Sequence, residues 1–172
     1  QDYVLKVQPQ TFLFYRKASP QKRLEFQSVV NKLGLNLKGI RFLDIGPGYG
    51  DTLDICHENG AASIEFVELD PYFFSYNRLK GFTKGHRIDL LTELGKLDGG
   101  KYDLVWAKGA IEVDHFIATG KLGIKSLSLE RWLSQLEKLS SPAGHIIICP
   151  NWPSKMHVRN IQDVQHADFT GI

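Results

Sequence analysis

The sequence predicts an α/β fold: a doubly wound, mostly parallel sheet with helices on both faces. Three observations predict it. Short β-branched or aromatic runs alternate along the chain with stretches at helical spacing. The stretch LDIGPGYGD, residues 43–51, sets Gly46, Gly48 and Gly50 directly after the first of those runs. A chain of 172 residues, 42% of them apolar, can bury a substantial core as a single domain.

Taken in order, Phe26, Val29, Val30 and Leu33 recur at i, i+3, i+4, i+7 and predict a helix that Gly34 stops. IRFLDI, residues 40–45, is the first strand, and a helix from about Asp51 to Asn59 closes at Gly60. SIEFVEL is the second strand, with Ile64, Phe66 and Leu69 on one face and Val67 filling the other. Pro71 opens the next helix, where a fixed φ and a missing donor cost nothing, and Asp70 caps it. HRI is a weak third strand, YDLVWA a fourth and GHIIIC a fifth. Between the last two, Leu129, Trp132, Leu133, Leu136 and Leu139 form one apolar helix face that Ser128 can cap.

Composition removes several function classes. The net charge of +2, from 21 basic and 19 acidic side chains, is too small for a strong field and does not imply nucleic acid. Cys56 and Cys149 are far apart in apolar runs, so they read as buried thiols rather than as a disulfide framework or metal knuckle, and no metal is expected. No basic-then-apolar leader, no run of about 18 apolar residues and no N-x-[ST] acceptor is present, so the expectation is a soluble, cytoplasmic chain without a membrane partner.

In a doubly wound sheet the ligand lies beyond the carboxyl ends of the strands, where the strand order reverses. The stretch 43–51 falls at that place. One glycine would suffice for a tight turn; three at alternate positions, preceded by Asp44, favour a loop against whose backbone a ligand can lie. The pattern D-x-G-x-G-x-G is not the G-x-G-x-x-G of dinucleotide sites, and Asp51 would repel a pyrophosphate at the helix start, which argues against NAD. Glu68, at the end of the second strand, can accept hydrogen bonds from both hydroxyls of a ribose.

RFLDIGPGYG, FVELDP, IDLL, YDLVWAKGAIE and SSPAGHIIICP, in this order, resemble the successive motifs of the class I S-adenosylmethionine-dependent methyltransferases. The resemblance covers roughly residues 38–150. It implies S-adenosylmethionine as cofactor, held by a loop of Asp44, Gly46, Gly48, Tyr49 and Gly50 along the methionine part. It further implies Glu68 on the ribose hydroxyls, Leu69 against the adenine, and Asp89 on the adenine amino group with Leu90 beside it. The backbone from Ala107 through Lys108 to Gly109 would face the sulfonium. The chain then divides into residues 1–37, a lid or leading helix, 38–150, the cofactor-binding core, and 151–172, a C-terminal segment. With 22 residues after Pro150, that segment is expected to be truncated and the sheet to lack the C-terminal antiparallel pair usual in the family.

Acceptor chemistry is less legible. His115, in IEVDHF after the fourth strand, is the candidate proton acceptor; a loop histidine bonded to Asp114 or water is the other reading. NWP, residues 151–153, lies after the wrong strand and lacks the tyrosine of the N-P-P-Y signature, so it is no evidence for an amide or nucleic-acid acceptor. Trp106 and Trp152 either line an aromatic pocket or, for Trp106, pack in the core. FLFYRKASPQKR reads as a lid with Tyr15 or Arg16 near the methionine carboxylate, as an RNA-binding stretch, or as a solvated approach ahead of the first helix. The leading function is methyl transfer to a small molecule; a non-catalytic binding module of the same fold and an RNA methyltransferase are the alternatives. Oligomeric state is not indicated.

Overall fold

A computed structural model of the chain describes residues 9–89, 93–108, 134–149, 156–160 and 163–167; for 9–18, 149, 156–160 and 163–167 it describes the backbone alone. The elements are α1 (Pro9–Lys32), β1 (Arg41–Ile45), α2 (Asp51–Glu58), β2 (Ser63–Val67), α3 (Pro71–Leu79), β3 (Gly85–His86), β4 (Tyr102–Lys108), β5 (Ser140–Cys149), β6 (Met156–Asn160) and β7 (Asp163–Ala167). A single 3₁₀ turn, Leu94–Lys96, precedes β4, and residues 134–137 are helical ahead of β5. Among the described residues no helix is long and apolar enough to cross a membrane.

Sheet order is β3-β2-β1-β4-β5-β6-β7. The first five strands are parallel, and the order reverses between β1 and β4, as a doubly wound sheet requires. Successive strand residues face opposite layers. Phe42, Phe66, Leu104, Trp106 and Ile147 pack with Phe26 and Val29 of α1 and with Leu53 and Cys56 of α2. Leu43, Ile45, Val67, Val105, Ile146 and Ile148 pack on the other face with Leu94, Leu136 and Leu139. The three isoleucines of β5 therefore serve both layers, which accounts for their unbroken run. Each side chain so buried contributes about 1.5–3 kcal/mol of transfer free energy. Cys56 is a fully buried free thiol whose pKa burial pushes up; the Cys149 side chain lies outside the described residues.

Three expectations are corrected. The sheet does not lack its antiparallel end: β6 pairs antiparallel with β5, Ile147 opposite Val158, and β7 pairs antiparallel with β6, Val158 opposite Gln165. That pair covers the hydrogen-bonding side of β5 that would otherwise be an open edge. FLFYRKASPQKR does not precede the first helix but lies inside α1, which runs through Pro20. Proline removes one intrahelical bond and favours a bend, but it does not have to end a helix that tertiary contacts hold on its far side. Trp106 is core: 2% exposed, it meets Phe26 edge-on with centroids 4.8 Å apart, and it lines no acceptor pocket.

The turn before the fifth strand, Pro142–Ala143–Gly144, lies within β5. Tyr102 pairs with Ser140 but Leu104 pairs with His145, so the residues between them bulge out of register. Gly144 is required there, because a Cβ would stand 2.7 Å from the Tyr102 carbonyl oxygen.

Candidate functional site

Register brings the candidate residues to one edge. Ile45 is opposite both Val67 and Ala107, so Gly46, Glu68 and Lys108 lie level at the carboxyl ends of β1, β2 and β4. Asp89 follows β3, whose His86 pairs with Val67. Asp44, Gly46, Gly48, Tyr49, Gly50, Glu68, Leu69, Asp89, Ala107 and Lys108 therefore share the edge where the strand order reverses. Leu90, Gly109, His115 and Trp152 lie outside the described residues, as does the proposed Ser128 cap.

The loop after β1 takes its shape from glycines that serve different ends. Gly46, Gly48 and Gly50 have φ of 73°, 57° and 74°, the left-handed region that costs a side chain strain. At Gly50 an added Cβ would stand 2.1 Å from Asn77 Oδ1, so that glycine admits α3. Beside Gly48 the only atom that close, within 4 Å of such a Cβ, is Lys22 Nζ at 3.9 Å, so this glycine leaves its space to something else.

Donors from α3 hold the loop's carbonyls. Asn77 Nδ2 donates to the Gly48 oxygen at 2.7 Å and to the Phe73 oxygen at 2.9 Å. Lys80 Nζ donates to the Tyr49 oxygen at 2.9 Å and to Asp54 at 2.6 Å. The Tyr49 ring is buried edge-on against Phe73 and Tyr76, centroids 5.1 and 5.4 Å away, which leaves its backbone as the part facing the site. Asp70 caps α3 as expected, accepting from the amides of Tyr72 and Phe73 at 2.8 and 3.2 Å.

Two buried carboxylates line this edge. Glu68 accepts from the Gly48 amide at 3.3 Å and the Asp70 amide at 3.0 Å, and burial pushes its pKa up to about 7 against those bonds. Asp44 accepts from the Thr52 hydroxyl; burial likewise raises it to about 7. Beyond Glu68 the backbone turns Leu69 outward, 55% exposed, and Tyr72 is 43% exposed. These large apolar groups stand beside a buried acid at the ligand edge of the fold. Asp89 is half-buried, and its amide donates to Glu93 at 3.0 Å. Ala107 is buried, and the Lys108 side chain turns to Glu25 of α1.

Asp51, the first residue of α2, is buried and accepts from the Ser19 hydroxyl. The positive end of that helix already faces a carboxylate, which leaves it unsuited to a phosphate. Among the described residues no group of three or more His, Cys, Asp or Glu could hold a metal ion.

Sequence reasoning missed the part α1 plays here. Ser19, Lys22 and Glu25 recur every three residues on the face that continues into Phe26, Val29 and Val30. The available signal was a lysine one turn before an apolar stripe and in line with it. Asn77 and Lys80 left no such signal, because nothing local distinguishes them from other polar helix residues.

No protein-family model matches the chain, and no curated protein sequence matches it. Solved structures do. A methyltransferase dependent on S-adenosylmethionine from Mesorhizobium loti is 22% identical, with a TM-score of 0.51 over 66% of this chain and 47% of that one. A protein from Methanococcus maripaludis assigned to the same class is 12% identical, with a TM-score of 0.62 over 90% of this chain and 69% of that one. An S-adenosylmethionine-dependent methyltransferase from Thiobacillus denitrificans, solved with S-adenosyl-L-homocysteine, is 18% identical, with a TM-score of 0.53 over 75% of this chain and 47% of that one. The chain has the class I methyltransferase fold, and it spans about half the length of several structures it matches.

Proposed function

We propose that the chain binds S-adenosylmethionine at the carboxyl edge between β1 and β4 and transfers its methyl group to a small-molecule acceptor. The observation that carries this reading is Glu68, a buried carboxylate at the end of β2, fixed by two backbone amides and flanked by the exposed Leu69. A ribose would supply Glu68 with two hydroxyl donors, and an adenine would cover Leu69. The fit extends to charge. Asp44, Asp51 and Glu68 suit a cationic ligand without phosphates.

Bound there, the cofactor supplies a methyl carbon on a sulfonium, open to in-line attack. The chain's own task is to align and to exclude water. The glycine loop, held by Asn77 and Lys80, gives a fixed backbone surface, and Glu68 sets the ribose. Asp89 would accept from the adenine amino group. For a hydroxyl or amine acceptor, His115 is the residue proposed to take the proton as the acceptor's lone pair forms the new bond.

A small acceptor is favoured over RNA because described members of the basic stretch are engaged within the chain. Arg23 pairs with Glu58 at 2.8 Å, and Lys22 lies over the glycine loop. A non-catalytic module would share the pocket, so two measurements are needed. Calorimetry should show S-adenosylhomocysteine binding and no NAD binding; absence of the first refutes the cofactor assignment. Thioether release from S-adenosylmethionine in the presence of acceptor panels then separates enzyme from binding module.

A further inference from the structure

α1 crosses the carboxyl edge and is latched on both sides of the glycine loop. The Ser19 hydroxyl donates to Asp51 at the start of α2, and Glu25 pairs with Lys108 at the end of β4. Arg23 adds a bond to Glu58 at 2.8 Å. Lys22 stands between the latches on the same helical face, its Nζ 3.9 Å from the point a Cβ on Gly48 would occupy. Three carboxylates, Asp51, Asp44 and Glu68, act on that ammonium, which burial partly strips of water. Ordering a lysine and drying its head costs free energy. The edge thus presents both signs of charge within one short stretch of loop.

A cationic ligand alone would use only the carboxylates and would be opposed by the lysine. A ligand that ends in an α-amino acid carries an ammonium and a carboxylate a few ångströms apart and satisfies both. We propose that Lys22 is the specificity-determining residue that receives the carboxylate of the ligand's amino-acid end, so that the site prefers an adenosine thioether bearing the amino acid over one lacking it. This rests on the S-adenosylmethionine reading above. It assigns to α1, outside the glycine loop and the strand ends, the discrimination of one end of the ligand.

The test compares S-adenosylhomocysteine with methylthioadenosine, which keeps the adenosine and sulfur but has no amino acid, by calorimetry on the full chain. Lys22→Met should weaken S-adenosylhomocysteine by roughly 10- to 100-fold, the loss expected for a hydrogen bond to a charged group, and leave methylthioadenosine unchanged. Lys22→Arg should recover part of the loss. Retained methylthioadenosine binding also shows that the variant is folded. Equal weakening of both ligands would mean that Lys22 is only a counter-ion for Asp44 and Glu68, and no weakening of either would mean that it has no part; each overturns the proposal. A wild-type chain that binds neither ligand would instead refute the cofactor reading itself.

Discussion

The two ends of the sheet treat their carboxylates in opposite ways. At the amino edge, Asp103 of β4 receives the Arg41 guanidinium at 2.9 and 3.1 Å, the Arg41 amide at 2.9 Å and the Ser141 hydroxyl at 2.9 Å. The guanidinium, foremost among these, holds its pKa down at about 2. At the carboxyl edge, Asp44 and Glu68 are more deeply buried, have one hydroxyl and two backbone amides between them, and are raised to about 7. One edge closes its electrostatics upon itself. The other keeps two acids whose hydrogen-bonding capacity exceeds what the chain supplies, which is the condition in which a ligand's donors gain most.

The largest expected effect is on binding. Glu68→Gln keeps the volume but removes the charge that two ribose hydroxyls would share, so S-adenosylhomocysteine affinity should fall about a hundredfold or more. Asp103→Asn, at the other edge, should leave it unchanged. Equal losses in the two variants, read by calorimetry, would erase the distinction between the edges.

Next comes the loop. Gly50→Ala forces a Cβ to 2.1 Å from Asn77 Oδ1 at a φ of 74° and should cost about 2–4 kcal/mol of unfolding free energy in urea titrations. Gly39→Ala has a similar φ of 79° with open space around it and should cost only about 1 kcal/mol. A cost at Gly50 no larger than at Gly39 would show that Asn77 yields easily and that the loop is less fixed than described.

The edges should also give opposite pH slopes. Asp44 and Glu68 have folded pKa values above their ordinary 3.8 and 4.5, so between those values and about 7 the folded chain binds more protons than the unfolded. Their contribution to stability therefore falls as pH rises through that window. Asp103 is depressed from 3.8 to about 2, so its contribution is present above 3.8 and is lost as pH falls through about 2. Asp44→Asn should flatten the loss of stability toward neutral pH, and Asp103→Asn the loss in acid. Thermal melts across pH check both, and a stability profile that Asp44→Asn leaves unaltered would contradict the burial argument. The smallest effect is expected for Arg41→Ala. The ion pair is partly exposed and screened, so about 1 kcal/mol or less should be lost, with no change in ligand affinity.

Much of this was legible from the sequence because it is local. Asp70 ahead of Pro71, the glycines of residues 43–51 and the run at Ile146–Ile148 each carry their reason within a few residues. The position of Glu68 followed from strand length and a parallel register. What was not legible depends on distant partners. Pro20 read as a boundary, yet α1 continues through it, with Ser19, Arg23 and Glu25 docked on α2 and β4. Trp106 at a strand end fitted a pocket as well as a core until Phe26 was seen against it. The β6–β7 pair was missed because its strands are short and polar and gain their meaning from the β5 side they cover.

The most direct test of the account is calorimetric titration of S-adenosylhomocysteine into the full chain and into Glu68→Gln, from about pH 6 to about pH 8 and in buffers of different ionisation enthalpy. The account predicts saturable one-to-one binding that strengthens as pH rises through about 7 and releases a proton below it, because hydroxyl donors favour the ionised Glu68, with both effects lost in Glu68→Gln. A folded chain that fails to bind, or one whose affinity and proton release are the same in Glu68→Gln, would contradict it.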